Sequence, residues 1–142
     1  LARAGEVASD SASLNRQGTL LAAYGLLEEA AGWFRRATAQ QEYVPALINL
    51  ANISSLSGDD DSAQEYLERA ARVEPENPRV LLGLAVIYWE AGDREQARNT
   101  FDRASALRPA LARRFPLFAG AGEAETRAGT GSDLFALDWA SP

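Results

Sequence analysis

The sequence predicts an all-α fold, a stack of helical hairpins, and three observations carry that expectation. The first is an internal period. Gly58 recurs as Gly92, Asp59 as Asp93, Ala63 as Ala97, Ala70 as Ala104 and Pro75 as Pro109, each 34 residues on. The second is an upstream copy offset by 33, in which Gly25, Ala30, Phe34 and Ala37 match Gly58, Ala63, Leu67 and Ala70. The third is that every copy holds two amphipathic stripes separated by a glycine. Self-similarity at this period belongs to stacked repeats, in which each unit buries its hydrophobic face against its neighbours.

The elements follow in chain order. Residues 1–10 are small and polar and read as a fraying turn or the end of a preceding helix. In the first repeat, residues 11–43, Leu14, Gly18 and Leu21 predict a helix over 12–24, with Gln17 where a large apolar residue is expected. Gly25 ends it, and Ala30, Phe34 and Ala37 stripe a second helix over 27–40, with Glu28 and Glu29 at its start. The second repeat spans 44–77. Leu47, Leu50, Ala51 and Ser54 keep i, i+3, i+4, i+7 spacing over 45–57, the mark of one buried helix face. Gly58 stops that helix, and Asp59–Asp60–Asp61 supplies carboxylates to cap the next, over 60–73. Ala63, Leu67 and Ala70 form its stripe, small enough for two helices to approach closely, and Pro75 cannot continue the helix. The third repeat, 78–111, has the same design: Leu81, Leu84, Ala85 and Tyr88 over 78–91, Gly92–Asp93, then Ala97, Phe101 and Ala104 over 94–107, closed by Pro109.

The C-terminal flank departs from the period. Phe115, Phe118 and Ala119 begin a further repeat that Pro116, Gly120 and Gly122 interrupt, which reads as a degenerate capping helix over 112–119. Residues 120–142 read as a flexible tail, with a Gly-, Ala- and Thr-rich linker leading to a short acidic and apolar segment. In that segment Leu134, Phe135 and Leu137 stand between Asp133 and Asp138, Trp139 follows, and the four apolar side chains are expected to dock on a folded surface.

Composition narrows the function. The 142 residues suit one domain, and 46% hydrophobic content is ample for a core. The chain opens on Leu1 and has no Met, which reads as a piece of a longer or processed protein. A net charge of −6 argues against nucleic acid, whose affinity comes largely from basic residues neutralising phosphates. It argues equally against an anionic membrane surface, and no apolar run is long enough to insert into a bilayer. Without Cys or His the chain has no thiolate nucleophile, no zinc–thiolate site and no imidazole base. Asp59–Asp60–Asp61 lacks the spaced ligands, central Gly and terminal Glu of a calcium loop, and capping explains it. No cofactor or metal is expected.

The residues Leu81, Leu84–Ala85, Tyr88, Gly92, Ala97, Phe101, Ala104 and Pro109 resemble the tetratricopeptide repeat (TPR). The second copy departs only at Ser54, and the likeness covers residues 11–111. It implies a right-handed α-solenoid of three helix–turn–helix repeats with a short C-terminal cap. It also implies a non-catalytic interaction scaffold that holds a protein or peptide on its concave face, which the first helices line. By position the partner-binding side chains would be Asn15, Arg16 and Thr19 in repeat one, and Asn49, Asn52 and Ser55 in repeat two. Repeat three would add Arg79, Leu82, Gly83, Val86, Trp89 and Glu90. Amides can both donate and accept, which suits an extended peptide backbone, and Trp and Arg are favoured in binding hot spots. One subset of the family clamps C-terminal carboxylates with basic first-helix residues. The positions here are Asn15, Thr19, Asn49, Arg79 and Gly83, too few cations for such a clamp. The alternative role is self-assembly of a larger protein into a homo-oligomer, through the repeats or the tail.

Overall fold

A computed structural model describes residues 4–115, and all regular structure among them is helical. The helices are α1 (Ala4–Ala23), α2 (Leu27–Ala37), α3 (Val44–Leu56), α4 (Asp60–Val73), α5 (Pro78–Glu90), α6 (Arg94–Leu107) and α7 (Ala110–Arg114). They pack most extensively as the hairpins α1–α2, α3–α4 and α5–α6, and less extensively as α2–α3 and α4–α5. With α1 also touching α3, each repeat packs on the next, which is the pattern of a helical-repeat solenoid.

The three hairpin turns are built alike. Gly25, Gly58 and Gly92 have φ of 77°, 77° and 88°, a left-handed conformation open to glycine because it lacks Cβ. One residue later the chain returns a hydrogen bond five residues back: Leu26 N to Leu21 O, Asp59 N to Ser54 O and Asp93 N to Tyr88 O. This is the Schellman closure of a helix C-terminus. The next helix then needs an acceptor for its first amides. Asp59 Oδ1 accepts from Ser62 N and Asp93 Oδ1 from Gln96 N, both at 3.1 Å. Leu26 occupies the equivalent place in the first hairpin and makes no side-chain cap.

The stripes form the core. Ala30, Ala63 and Ala97 are fully buried, as are Phe34 and Leu67, while Phe101, Ala37, Ala70 and Ala104 are buried to within a percent. Buried residues fall into two clusters, one through α1, α2 and α3 and one through α3 to α7, and Tyr66 packs against both. Helix α3 therefore serves both clusters and is buried around most of its circumference, from Val44 to Ser55. Pro45 and Pro78 sit in the first turns of α3 and α5, where a missing N–H costs no helical bond.

Two boundaries differ from the sequence-based expectation. Helix α1 begins at Ala4 rather than near residue 12, so the small polar stretch before residue 11 is helical from there. Its Ala and Ser residues carry no strong stripe, which is why periodicity gave no signal. Helix α2 ends at Ala37, because the Thr38 hydroxyl turns to the loop, donating to Gln41 O at 3.3 Å and accepting from Tyr43 N at 3.0 Å. The short helix after the third repeat is α7, over 110–114, and it packs on α6. The expected cap residues 116–119 and the tail positions Leu134, Phe135, Leu137 and Trp139 lie outside the described residues.

Candidate functional site

The first helices of the repeats, α1, α3 and α5, carry all the described candidate binding residues. The centre of this layer is an amide pair. Asn49 Nδ2 on α3 donates to Asn15 Oδ1 on α1 at 3.0 Å, and both side chains are completely buried. A hydrogen bond between first helices of adjacent repeats fixes their rotation relative to each other, since each amide would lose its solvation without a partner. Asn52, one turn beyond Asn49, is 2% exposed, and its Oδ1 has no hydrogen-bond donor. Buried side-chain oxygens are nearly always paired, and Asn52 Oδ1 shares this exception with Ser105 Oγ on α6. The sequence reading puts Asn15, Asn49 and Asn52 on the open, partner-binding face. The structure buries all three, because α1 and α3 approach closely enough for their polar sides to meet.

The remaining candidates distribute along the layer. Thr19 donates its hydroxyl to Arg16 O at 2.8 Å, within its own helix. On α5, Val86 is buried, Gly83 is buried, Leu82 and Trp89 are half-buried, and Glu90 is exposed at the last turn. Arg79 stands at the opposite end of α5. Its backbone N–H donates to Asn77 Oδ1 at 2.9 Å, and Asn77 Nδ2 in turn donates to Glu74 Oε2 at 2.7 Å. Arg79 also lines a cleft of about 820 Å³ at the junction of the second and third repeats, together with Arg108, Glu74 and Glu76.

Trp89 is more constrained than spacing alone suggests. The Arg94 guanidinium lies 3.9 Å from the ring centroid, and its Nη1 donates to Trp89 O at 2.7 Å. One face of the indole is therefore held by a cation–π contact, which steadies the ring at the α5–α6 turn.

Other polar arrangements escaped the sequence reading. Arg69 on α4 donates to both oxygens of Glu42, at 2.8 and 2.7 Å, a bidentate pair joining the α2–α3 loop to the second helix of repeat two. The Arg69 hydrogen bond holds the Glu42 carboxyl below the usual range. Burial raises the Tyr43 and Tyr88 hydroxyls, which stay neutral phenols. No spacing rule links residues 42 and 69, so only the tertiary structure brings them together. Around the first turn, Leu20, Tyr24 and Leu26 are 55%, 76% and 45% exposed. The equivalent places around the later turns include Ser57, Asp59, Ala91 and Asp93.

Among the described residues, no group of acidic side chains is arranged to hold a metal ion. No described helix is long and apolar enough to cross a membrane.

Residues 56–114 match the tetratricopeptide repeat family model. Among solved structures, the chain is similar to the C-terminal TPR-containing domain of a Plasmodium falciparum FK506-binding protein. The TM-score is 0.66 at 16% identity, over 83% of this chain and 91% of that one. At that identity the likeness shows the shared fold. No curated protein matches the chain by sequence.

Proposed function

We propose, on the premise that this chain is a tetratricopeptide-repeat protein, that it is a non-catalytic scaffold whose concave face holds a protein or peptide in extended form. Repeats of this family generally mediate protein–protein interaction. The observation that supports this face here is the pair of half-buried apolar side chains Leu82 and Trp89 on the first helix of repeat three, which also carries Arg79. Asn15 and Asn49 pre-set the amide floor beside it. Leu82 and Trp89, both half-buried, supply an apolar continuation along α5, and Arg79 supplies a cation at its start. With Arg79 as the one cation among the five clamp positions, the site selects for backbone and apolar side chains more than for a terminal carboxylate.

The test is selection of peptides from a displayed library on the immobilised full chain, followed by calorimetry with the best sequence. Micromolar binding that weakens about tenfold on Trp89→Ala or Arg79→Ala, equivalent to about 1.4 kcal/mol, supports the reading. Selected peptides that bind all variants equally would place the site elsewhere.

The exposed cluster of Leu20, Tyr24 and Leu26 favours a second reading, self-assembly through the first hairpin. Light scattering across a range of concentrations decides it. A dimer lost on Tyr24→Asp supports assembly, and a monomer at all concentrations excludes it.

A further inference from the structure

We propose that the face of the first repeat carrying Leu20, Tyr24 and Trp33 pairs with the same face of a second copy of the chain, closing a two-fold dimer. The proposal rests on the self-assembly reading given above and adds the surface and the symmetry through which it acts.

Repeat equivalence identifies the face. Ala46, Leu50 and Ile53 on α3 pack in one cluster with residues of α1 and α2. At the same positions on α5, Val80, Leu84 and Ile87 join the cluster that α3 and α4 contribute to. Each repeat therefore stacks on the one before it through these three places. On α1 they are held by Ser13, Gln17 and Leu20, all exposed, Leu20 by 55%. Tyr24 continues the stripe one turn further and is 76% exposed. The second helices agree. Tyr66 on α4 packs against both clusters and so joins repeat two to repeat one. Its counterpart on α2 is Trp33, half-buried, with the Arg36 guanidinium 4.4 Å from the ring centroid. The first repeat thus presents a repeat-stacking surface that no described helix covers.

Three features select a second copy as the occupant. The first is charge. A two-fold axis sets each central residue against its own counterpart, so a charged centre would repel itself. Ser13, Gln17, Leu20 and Tyr24 carry no charge, in a chain whose net charge is −6. The second is composition. Interior repeats place Ala46 and Leu50, or Val80 and Leu84, where α1 has Ser13 and Gln17, so half of this face is polar. Antiparallel pairing about Leu20 brings Gln17 of one copy opposite Tyr24 of the other, three and four residues from the axis. An amide and a phenol each donate and accept, so that half of the face finds its partner in the copy itself.

The third is closure. At the far end of the stack α7 packs on α6 and sets Leu111 and Phe115 against the core. Head-to-tail stacking is obstructed there, whereas two first repeats in isologous contact stop at the dimer. From Ser13 to Tyr24 is about 16 Å of helix, and two adjacent helices make the face about 20 Å wide. That is below the roughly 800 Å² per partner of a standard stable interface, so the dimer forms at micromolar concentrations and above.

The chain has no cysteine, so a single introduced thiol reports the contact. In the full chain, Leu20→Cys should form a disulfide-linked dimer on mild oxidation at least about tenfold faster than Ser57→Cys, its exposed control in repeat two. Light scattering from low micromolar to submillimolar concentration should show monomer passing to dimer. Leu20→Asp and Leu20→Arg should each stay monomeric with unchanged melting temperature, and an equimolar mixture of the two should recover the dimer. Recovery on mixing requires that residue 20 of one copy meets residue 20 of the other. Equal oxidation rates for the two cysteine variants, or a mixture that stays monomeric, overturn the proposal. A dimer that survives both Leu20 variants but is lost on Leu26→Asp also overturns it, while self-assembly through the turn stands. Oligomers larger than the dimer refute the two-fold closure. A monomer at every concentration defeats both readings and leaves the face to a different partner.

Discussion

Gly18 offers a test in which packing and helix propensity oppose each other. A methyl group added at Gly18 would lie 2.4 Å from Phe34 Cε1 and 2.6 Å from Cδ1, well inside van der Waals contact. Phe34 is completely buried against α1 and α3, so its ring cannot swing into solvent. Overpacking of this kind costs about 1–3 kcal/mol, whereas Gly to Ala inside a helix normally gains about 1 kcal/mol. Taking about 2 for the clash, Gly18→Ala should destabilise by about 1 kcal/mol net. That corresponds to a fall in Tm of roughly 3–5 °C for a domain of this size. Gly32 supplies the internal control. It lies inside α2 with nothing within 4 Å of the added Cβ, so Gly32→Ala should gain the propensity term and raise Tm. The third repeat pairs Ala85 with Phe101, which shows that a methyl and a ring coexist where the hairpin is packed around both. The expected cost at Gly18 is therefore that of reopening α1–α2. Thermal and urea denaturation of the two variants decide the matter. A Gly18→Ala protein as stable as Gly32→Ala, or more so, would refute the close approach of Phe34 to α1.

Three further outcomes are expected. Asn49→Leu should cost about 1–3 kcal/mol, because it removes the buried donor to Asn15. A double-mutant cycle with Asn15→Leu should show coupling, and an unchanged melting temperature for Asn49→Leu would instead place that amide in solvent. Leu26→Asp should stabilise by about 0.5–1 kcal/mol. The Leu26 backbone (φ −83°, ψ 67°) nearly matches that of capping Asp93 (φ −82°, ψ 77°), so an introduced carboxylate can reach the α2 amides, and loss of stability would refute the equivalence of the turns. For Glu42, whose folded pKa is lowered chiefly by the Arg69 hydrogen bond, stability is present above the ordinary value of 4.5 and is lost as pH falls through the lower folded value. Glu42→Gln should therefore flatten the acid limb of the stability profile below about pH 4.5, and an unaltered limb would show that the pair contributes nothing there.

What the sequence determined by itself was everything that depends on local periodicity. The 34-residue spacing of Gly58 and Gly92 placed the turns, since only a left-handed residue closes these helix ends. Ala63, Leu67 and Ala70 marked the buried stripe, and Asp59 and Asp93 the caps, because each of these requirements is met within a few residues of chain. The start of α1 was not legible, for its first turns carry small residues without a stripe. The tertiary structure alone decided the fate of the candidate site. Spacing puts Asn49 on a polar helix face, but it cannot say whether that face meets water or another helix. The approach of α1 to α3 turned Asn15 and Asn49 into a buried pair. It likewise joined Glu42 to Arg69 and set Arg94 over Trp89. The physical reason is the same in each case. Helix formation is fixed by groups within a turn of one another, whereas the partner of a polar side chain is fixed by how closely separate helices approach. That distance is set by the volumes of every side chain packed between them.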